Sequence, residues 1–246
     1  MVSVNGPVEN NGPLDLRSLR SQIYEYIRDE IQTGQLIPGS FIKMREISKH
    51  LGVSITPLRD AIIQLECEGF VTILPRRGIL LNKMTLPEIK NSLEIVGALE
   101  STVIKSVFDR ITMLHLKKME RLNAQMRELL QVENFDHSFN ERFYQLNFDF
   151  HNVFLNLSSN QSLIRIVIPV KQRLYDLQQL AYIRRWELIN CDEHEQLIQY
   201  IEAGERAKAV RLWRDSHWSF KAHEKFIREF YSQGNRQIRK QLDNQR

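Results

Sequence analysis

Apolar residues recur at helical spacing along most of this 246-residue chain, interrupted by one short stretch that reads as β. The first stripe is Ile23, Ile27 and Ile31 at i, i+4 and i+8, with Gly34 placed to close the helix and Leu36-Ile37-Pro38-Gly39 as a connector. Ile47 and Leu51 lie one turn apart on a second, short segment, and His50-Leu51-Gly52-Val53 supplies a turn in which Gly52 takes positive φ. Thr56 is placed to cap the next helix and Pro57 to occupy its first position, where no amide donor is needed. Leu58, Ile62 and Leu65 then give that helix one buried stripe and leave Ser54, Thr56, Arg59 and Gln64 to solvent or a partner. Phe70 to Leu74 reads as a strand, Pro75-Arg76-Arg77-Gly78 as a turn and Ile79 to Leu81 as the returning strand.

Two helices joined by a short glycine-containing turn, followed by a basic-tipped hairpin, describe a winged helix-turn-helix DNA reader. Six ordered pieces resemble the amino-terminal domain of the GntR family of bacterial transcription regulators. They are Ile37-Pro38-Gly39, Arg45-Glu46-Ile47, Leu51-Gly52-Val53-Ser54, Thr56-Pro57-Leu58-Arg59, Leu65-Glu66-x-Glu68-Gly69 and Leu74-Pro75-Arg76-Arg77-Gly78. One departure is Ile55, where the family commonly carries a polar residue. The resemblance assigns Arg45, Ser54, Thr56, Pro57 and Arg59 to the DNA-facing surface, and Arg76, Arg77 and Gly78 to the wing tip.

Beyond this module the pattern is helical throughout. Residues 1–12 are polar and rich in Gly, Pro and Asn and read as disordered, so the DNA-binding domain is expected over 13–83. Thr85-Leu86-Pro87-Glu88 has capping-box spacing and opens a second domain over 84–231. Helical stretches are expected near 86–110, 113–131, 136–157, 160–182, 192–203 and 205–231, with breaks at 158–160 and Gly204 and kinks at Gly97 and Pro169. Residues 232–246 are polar and basic and read as a frayed tail. The fold class is therefore mainly α: a winged helix-turn-helix, then an all-α bundle of six or seven helices. That layout, with Leu99-Glu100, Phe150-His151, Asn160 with Leu163, and Asp192-Glu193-His194 through Gly204, resembles the FadR-like subgroup with an FCD-type effector domain.

Composition narrows the class without naming it. Two cysteines, Cys67 and Cys191, fit a reduced cytoplasm without a disulfide framework. A net charge of +4 suits a polyanionic partner only mildly. No apolar run approaches a membrane span and the amino terminus lacks a signal-peptide pattern, so the expected location is the cytoplasm.

Candidate chemistry sits in the second domain. Asn147 and His151 share a helix face, and His194 shares one with Leu197, Ile198 and Ile201. Many members of the subgroup that the chain resembles bind a divalent metal through Asp and His on one helix and two later histidines, a set suited to Zn, Ni or Mn. This chain departs from that set. Asn147 replaces the usual Asp, the last ligand position falls on Ser216 with His217 one residue late, and Val96 replaces an Arg that clamps a carboxylate. One helix position is about 100° of rotation, so His217 reaches the site only through a local bulge. Without a metal, His151 and His194 are hydrogen-bonded core residues. The effector set is accordingly Val96, Asn147, His151, His194, Ser216 and His217.

The resemblance implies a cytoplasmic, homodimeric regulator without enzymatic activity, reading a palindromic double-stranded operator and responding to a small-molecule effector. Two alternatives stay open: a metal-dependent enzyme domain tethered to DNA, and a regulator sensing a larger apolar ligand such as an acyl thioester. His194-Glu195-Gln196-Leu197-Ile198 lacks the second histidine of a zinc-protease helix, so that enzyme class is excluded.

Overall fold

The computed structural model describes residues 18–131, 137–176 and 184–244. The expected disorder of 1–12 lies outside them, as does the stretch after Asp176 that the expected helix 160–182 included.

Helix α1 (Leu19–Gln32) is capped by Ser18, whose hydroxyl accepts from the Ser21 amide, and buries Ile23, Ile27 and Ile31 as the spacing predicts. Helix α2 (Met44–Leu51) ends at Gly52, where φ is +64°. Helix α3 (Ile55–Cys67) buries Leu58, Ala61, Ile62 and Leu65 against α1. Its N-cap is Ser54, in extended conformation, rather than Thr56. Thr56 and Pro57 lie inside the first turn, where proline still has no helical hydrogen bond to lose.

The wing is strands β2 (Val71–Leu74) and β3 (Gly78–Leu81), paired antiparallel with Ile73 opposite Ile79. A short strand β1 (Phe41–Ile42), not expected from the sequence, adds to the other edge of β3. Two residues offer no periodicity to read, and their partner is remote in sequence. At the wing tip the Arg77 amide donates to the Leu74 carbonyl at 3.0 Å. Pro75 precedes Arg76, whose φ is +63°, the dihedral that the third position of a type II turn requires. An arginine there carries backbone strain of order 1–3 kcal/mol, and it faces outward at the part of the wing that would meet a partner.

The helical layer begins at α4 (Leu86–Val107), where Thr85 and Glu88 form the expected capping box. It continues through a 3-10 turn (Phe108–Arg110), α5 (Met113–Leu129), α6 (His137–Leu155), α7 (Gln161–Asp176), α8 (Arg184–Glu202), α9 (Arg206–Leu212), a π-turn (Trp213–His217) and α10 (Phe220–Asn244). Asn160 caps α7 through its side-chain oxygen and the Leu163 amide, 3.0 Å apart.

Three sequence expectations need correction. Helix α8 starts before 192, because Trp186, Glu187 and Cys191 already pack into the bundle. Residues 232–244 are not frayed: α10 runs through them, with Gly234 and Ile238 buried one turn apart below Phe230. Gly97 lies within an unbroken α4, where a Cβ would meet the Trp218 Cβ at 2.8 Å, so the glycine admits the segment after the π-turn against α4.

The two parts of the molecule meet through α7. Asp176 is buried and accepts from Arg28 Nε and Nη2 (2.8 and 2.6 Å) and from Gln32 Nε2 (2.6 Å), all on α1. Arg173, one turn earlier, lies over Gly69 at the end of the reading helix, where a Cβ would clash with its guanidinium.

Candidate DNA-reading surface and effector site

The residues expected to face DNA lie on α2, at the start of α3 and at the wing tip, at the surface of the first domain. Arg45 projects from the start of α2, and Ser54, Thr56 and Arg59 from the start of α3, all exposed, while Pro57 is half-buried beneath them. Arg76, Arg77 and Gly78 are exposed at the wing tip. Glu66 ties wing to helix by accepting from the Ile73 amide at 2.7 Å. Ile55 is 39% exposed, so the departure at that position leaves an apolar side chain on the reading face. Gly78 has φ of +115°, and a Cβ there would touch the Phe41 ring, so glycine keeps the tip compact as well as approachable.

In the helical domain three histidines converge. Ligand atoms of His151 (α6), His194 (α8) and His217 (π-turn) all lie within 4.8 Å of one another, and all three side chains are buried. Their rings form a near-equilateral triangle, with centroids 5.4, 5.4 and 4.9 Å apart. The π-turn at Trp213–His217 is what places His217 here. One extra residue in a helical turn advances the following side chain by about the 100° that a regular helix would have denied it. Ser216 stays half-buried outside the triangle.

Each histidine is fixed by its Nδ1. That of His151 donates to Glu100 Oε2 (2.7 Å), that of His217 to Glu193 Oε2 (3.0 Å), and that of His194 to Asn123 Oδ1 (3.3 Å). The Asn123 orientation is set because its Nδ2 donates to the Cys191 carbonyl at 2.9 Å. This leaves Nε2 of each ring as the lone-pair atom. Nε2 of His151 and His194 are buried and without a hydrogen-bond partner among the described residues. Burial pushes His151 down to about 3 and His194 well below the usual histidine range, so both are neutral, the form that binds a cation.

Asn147 lies one turn before His151. Its Nδ2 donates to the Tyr175 hydroxyl at 2.9 Å, while its Oδ1 is buried without a hydrogen-bond partner among the described residues. An amide oxygen is thus offered where the resemblance implies a carboxylate. Three imidazoles and one neutral oxygen fit zinc or nickel, and fit manganese poorly because no anionic oxygen is supplied.

Behind the triangle is a hub that the sequence reading left among general landmarks. Glu100, fully buried on α4, accepts from His151, from Lys171 Nζ (3.1 Å), and from the indoles of Trp213 (2.8 Å) and Trp218 (2.9 Å). Burial alone would raise its carboxyl. The His151 and Lys171 contacts, with the donated hydrogen bonds, outweigh burial and hold it below the usual carboxylate range. Lys171 is buried too, and burial pushes it down to about 8 despite Glu100. Lys171 was legible in principle, as a lysine on the Val167–Leu174 apolar stripe of α7.

Two cavities adjoin this region. One, of about 70 Å³, is lined by Asn147, Tyr175, Glu187, His217 and Trp218 among others. The second, about 590 Å³ and more open, lies between α1 and α6–α7 and is lined by Arg28, Arg142, Tyr175 and Asp176 among others. Tyr144 and Tyr175, stacked at 5.3 Å, line both and form the wall between them. Val96 is buried in α4 and lines neither, so an effector role by direct contact is not supported for it.

Comparison with known proteins agrees with this anatomy. Residues 19–81 match the family of bacterial regulatory proteins of the gntR type, and residues 91–217 match the FCD domain. The HTH-type transcriptional repressor RspR of Escherichia coli K12 is 27% identical over 143 residues, which span 58% of this chain and 60% of that protein. A Bacillus subtilis HTH-type transcriptional regulator, YdhC, itself uncharacterized, is 25% identical over 74% of this chain and 80% of its own length. Among solved structures, E. coli McbR/YncC superposes with a TM-score of 0.64 at 16% identity, covering 92% of this chain and all of that one, a likeness of fold. Among the described residues no helix is long and apolar enough to cross a membrane. With its DNA-reading module and FCD domain in this order, the chain belongs to the GntR family of bacterial regulatory proteins, in the branch that carries an FCD domain.

Proposed function

We propose that this protein is a transcription regulator that binds operator DNA through α2, α3 and the wing, and changes that binding when a small molecule enters the FCD domain. The observation that carries this reading is the pairing of an exposed basic reading face with a small cavity beside three converging histidines. The working form is a cytoplasmic homodimer on a palindromic site, and no step of its action is enzymatic. The exposed Ile95 on α4 and Ile166 on α7 offer apolar surface for a second copy. The division into domains falls near Lys83, before the Thr85 capping box.

Arg59 is assigned a base or phosphate contact. Arg59→Ala is expected to weaken operator binding by ~1–3 kcal/mol, roughly 5–150-fold, without changing thermal stability. Affinity for an operator recovered by in vitro selection decides this, and equal binding by both proteins removes Arg59 from the reading set.

His151, His194 and His217, with the Asn147 oxygen, would hold a divalent cation, which would supply a Lewis-acidic anchor for an effector atom. Glu100, Asn123 and Glu193 keep the three rings in the required tautomer. Loss of such an orienting partner lowers metal affinity by about 10–100-fold. Glu193→Gln is therefore expected to lose that much zinc affinity, whereas Asn147→Asp gains by restoring an anionic oxygen. Zinc titration against a competing chelator measures both. No binding by either variant or by the parent would assign the triangle to the core.

Coupling to DNA would run along α7. This helix bears Lys171 and Tyr175 on the effector side, and Arg173 and Asp176 on the side that grips the reading module. A ligand changes the operator equilibrium only by preferring one placement of that helix.

A further inference from the structure

The cavity beside the histidines carries a second, unused chemical feature. Glu187, near the start of α8, lines it and is only 7% exposed. Its Oε2 accepts from Asn190 Nδ2 at 3.0 Å, and among the described residues neither lysine nor arginine pairs with it. Lys171, the buried lysine among the described residues, is committed to Glu100. His223 attracts Glu187 but lies 3.4 Å from Glu193, which already holds His217. Burial accordingly pushes the Glu187 carboxyl up to about 7, the mark of an acid without a resident counter-ion.

The surroundings favour one kind of ligand. Trp186, Trp218, Tyr175 and Phe230 line the same cavity, and no lysine or arginine does among the described residues. In the metal-free protein a ligand carboxylate would meet a buried acid here, with no lysine or arginine among the described residues to neutralise it. An ammonium group would meet a carboxylate acceptor and the faces of aromatic rings, both of which attract cations.

Building on the sensor reading above, we propose that this FCD cavity binds a small primary ammonium compound, with its nitrogen on Glu187 and its carbon chain among the aromatic rings. A volume of about 70 Å³ at roughly 10–15 Å³ per water-sized occupant holds a ligand of about five non-hydrogen atoms. The Glu187 carboxylate accepts the ammonium N–H, and Asn190 keeps the other oxygen oriented.

The test uses the full chain after dialysis against EDTA, so that no amine can bind through a metal. Isothermal titration compares n-butylammonium, 1-butanol and propionate, three probes of equal heavy-atom count. Butylammonium is expected to bind at least tenfold more tightly than either of the others. Glu187→Gln, which keeps shape and the Asn190 contact, should weaken butylammonium by about 10–100-fold, the range of one charge-assisted hydrogen bond. The ranking of the three probes on the unmodified protein does not depend on the variant folding. Propionate binding more tightly than butylammonium, no binding by any probe, or equal butylammonium affinity in Glu187→Gln would each overturn the proposal. Operator binding without ligand, measured on the same preparation, reports on the regulator reading alone. Tight propionate binding would preserve the sensor while refuting its amine specificity.

Discussion

Replacing Glu100 by alanine is expected to destabilise the FCD domain by about 3–5 kcal/mol, the range for breaking a buried ion pair from one side. The variant leaves the Lys171 ammonium in the core without its anion, and leaves His151 Nδ1 and two indole N–H groups without their acceptor. Each stranded neutral donor adds about 1–3 kcal/mol unless water enters, so the result should sit at the upper end. Against a domain stability of 5–15 kcal/mol this is a large fraction. Lysine at this site can also shed its proton, since burial has already brought it down to about 8, and that release limits the damage. Glu100→Gln should cost less than alanine, because the amide oxygen still accepts while the charge is lost. The double variant Glu100→Leu with Lys171→Met should recover much of the loss, as apolar replacements of buried pairs do. Urea unfolding of the parent, Glu100→Leu, Lys171→Met and the double variant forms a cycle that isolates the pair. A Glu100→Ala protein within 1 kcal/mol of the parent would show that the hub is not ionic.

That hub marks the boundary of what could be read from residue order. The helix-turn-helix was legible because its signals are local: Gly52 at a left-handed position, and the Leu58–Ile62–Leu65 stripe behind polar Arg59. The same local logic found the Thr85 capping box. It failed at Thr56, because Ser54 sits two residues earlier in an equally suitable extended conformation and makes no side-chain bond that would distinguish it. It failed for α10, whose polar composition hid the Phe230–Gly234–Ile238 stripe. The candidate effector site was half legible. His151 and His194 announce themselves on apolar faces, but the π-turn that delivers His217 changes the count of one turn by one residue, which no periodicity resolves. Glu100 on α4, Lys171 on α7, and Glu187 and Glu193 on α8 come from three helices, and only packing shows what each of them faces.

Asp176 is expected to be the residue whose loss separates sensing from reading. It holds α7 to α1 through two hydrogen bonds from Arg28 and one from Gln32, with both charged side chains almost fully buried. Asp176→Ala strands Arg28, which stays charged at any accessible pH. Breaking such a pair costs about 3–5 kcal/mol, and the neighbouring cleft of about 590 Å³ lets the guanidinium find water, which points to the lower end. Because the bond joins two modules, the loss should appear as weaker docking: two resolved thermal transitions in place of one. The consequence for regulation follows from Tyr175, the preceding residue, which is bonded to Asn147 in the candidate effector site. If α7 transmits occupancy, the change in operator affinity between zinc-loaded and zinc-free protein, typically 1–3 kcal/mol for a coupled pair of sites, should shrink toward zero in Asp176→Asn. Operator binding by the zinc-free variant should meanwhile stay within a few-fold of the parent, since Arg59 and the wing are untouched. An undiminished zinc effect in the variant would mean that the signal reaches the reading helices by another route, and would leave the Arg28–Asp176 bridge a purely structural tie.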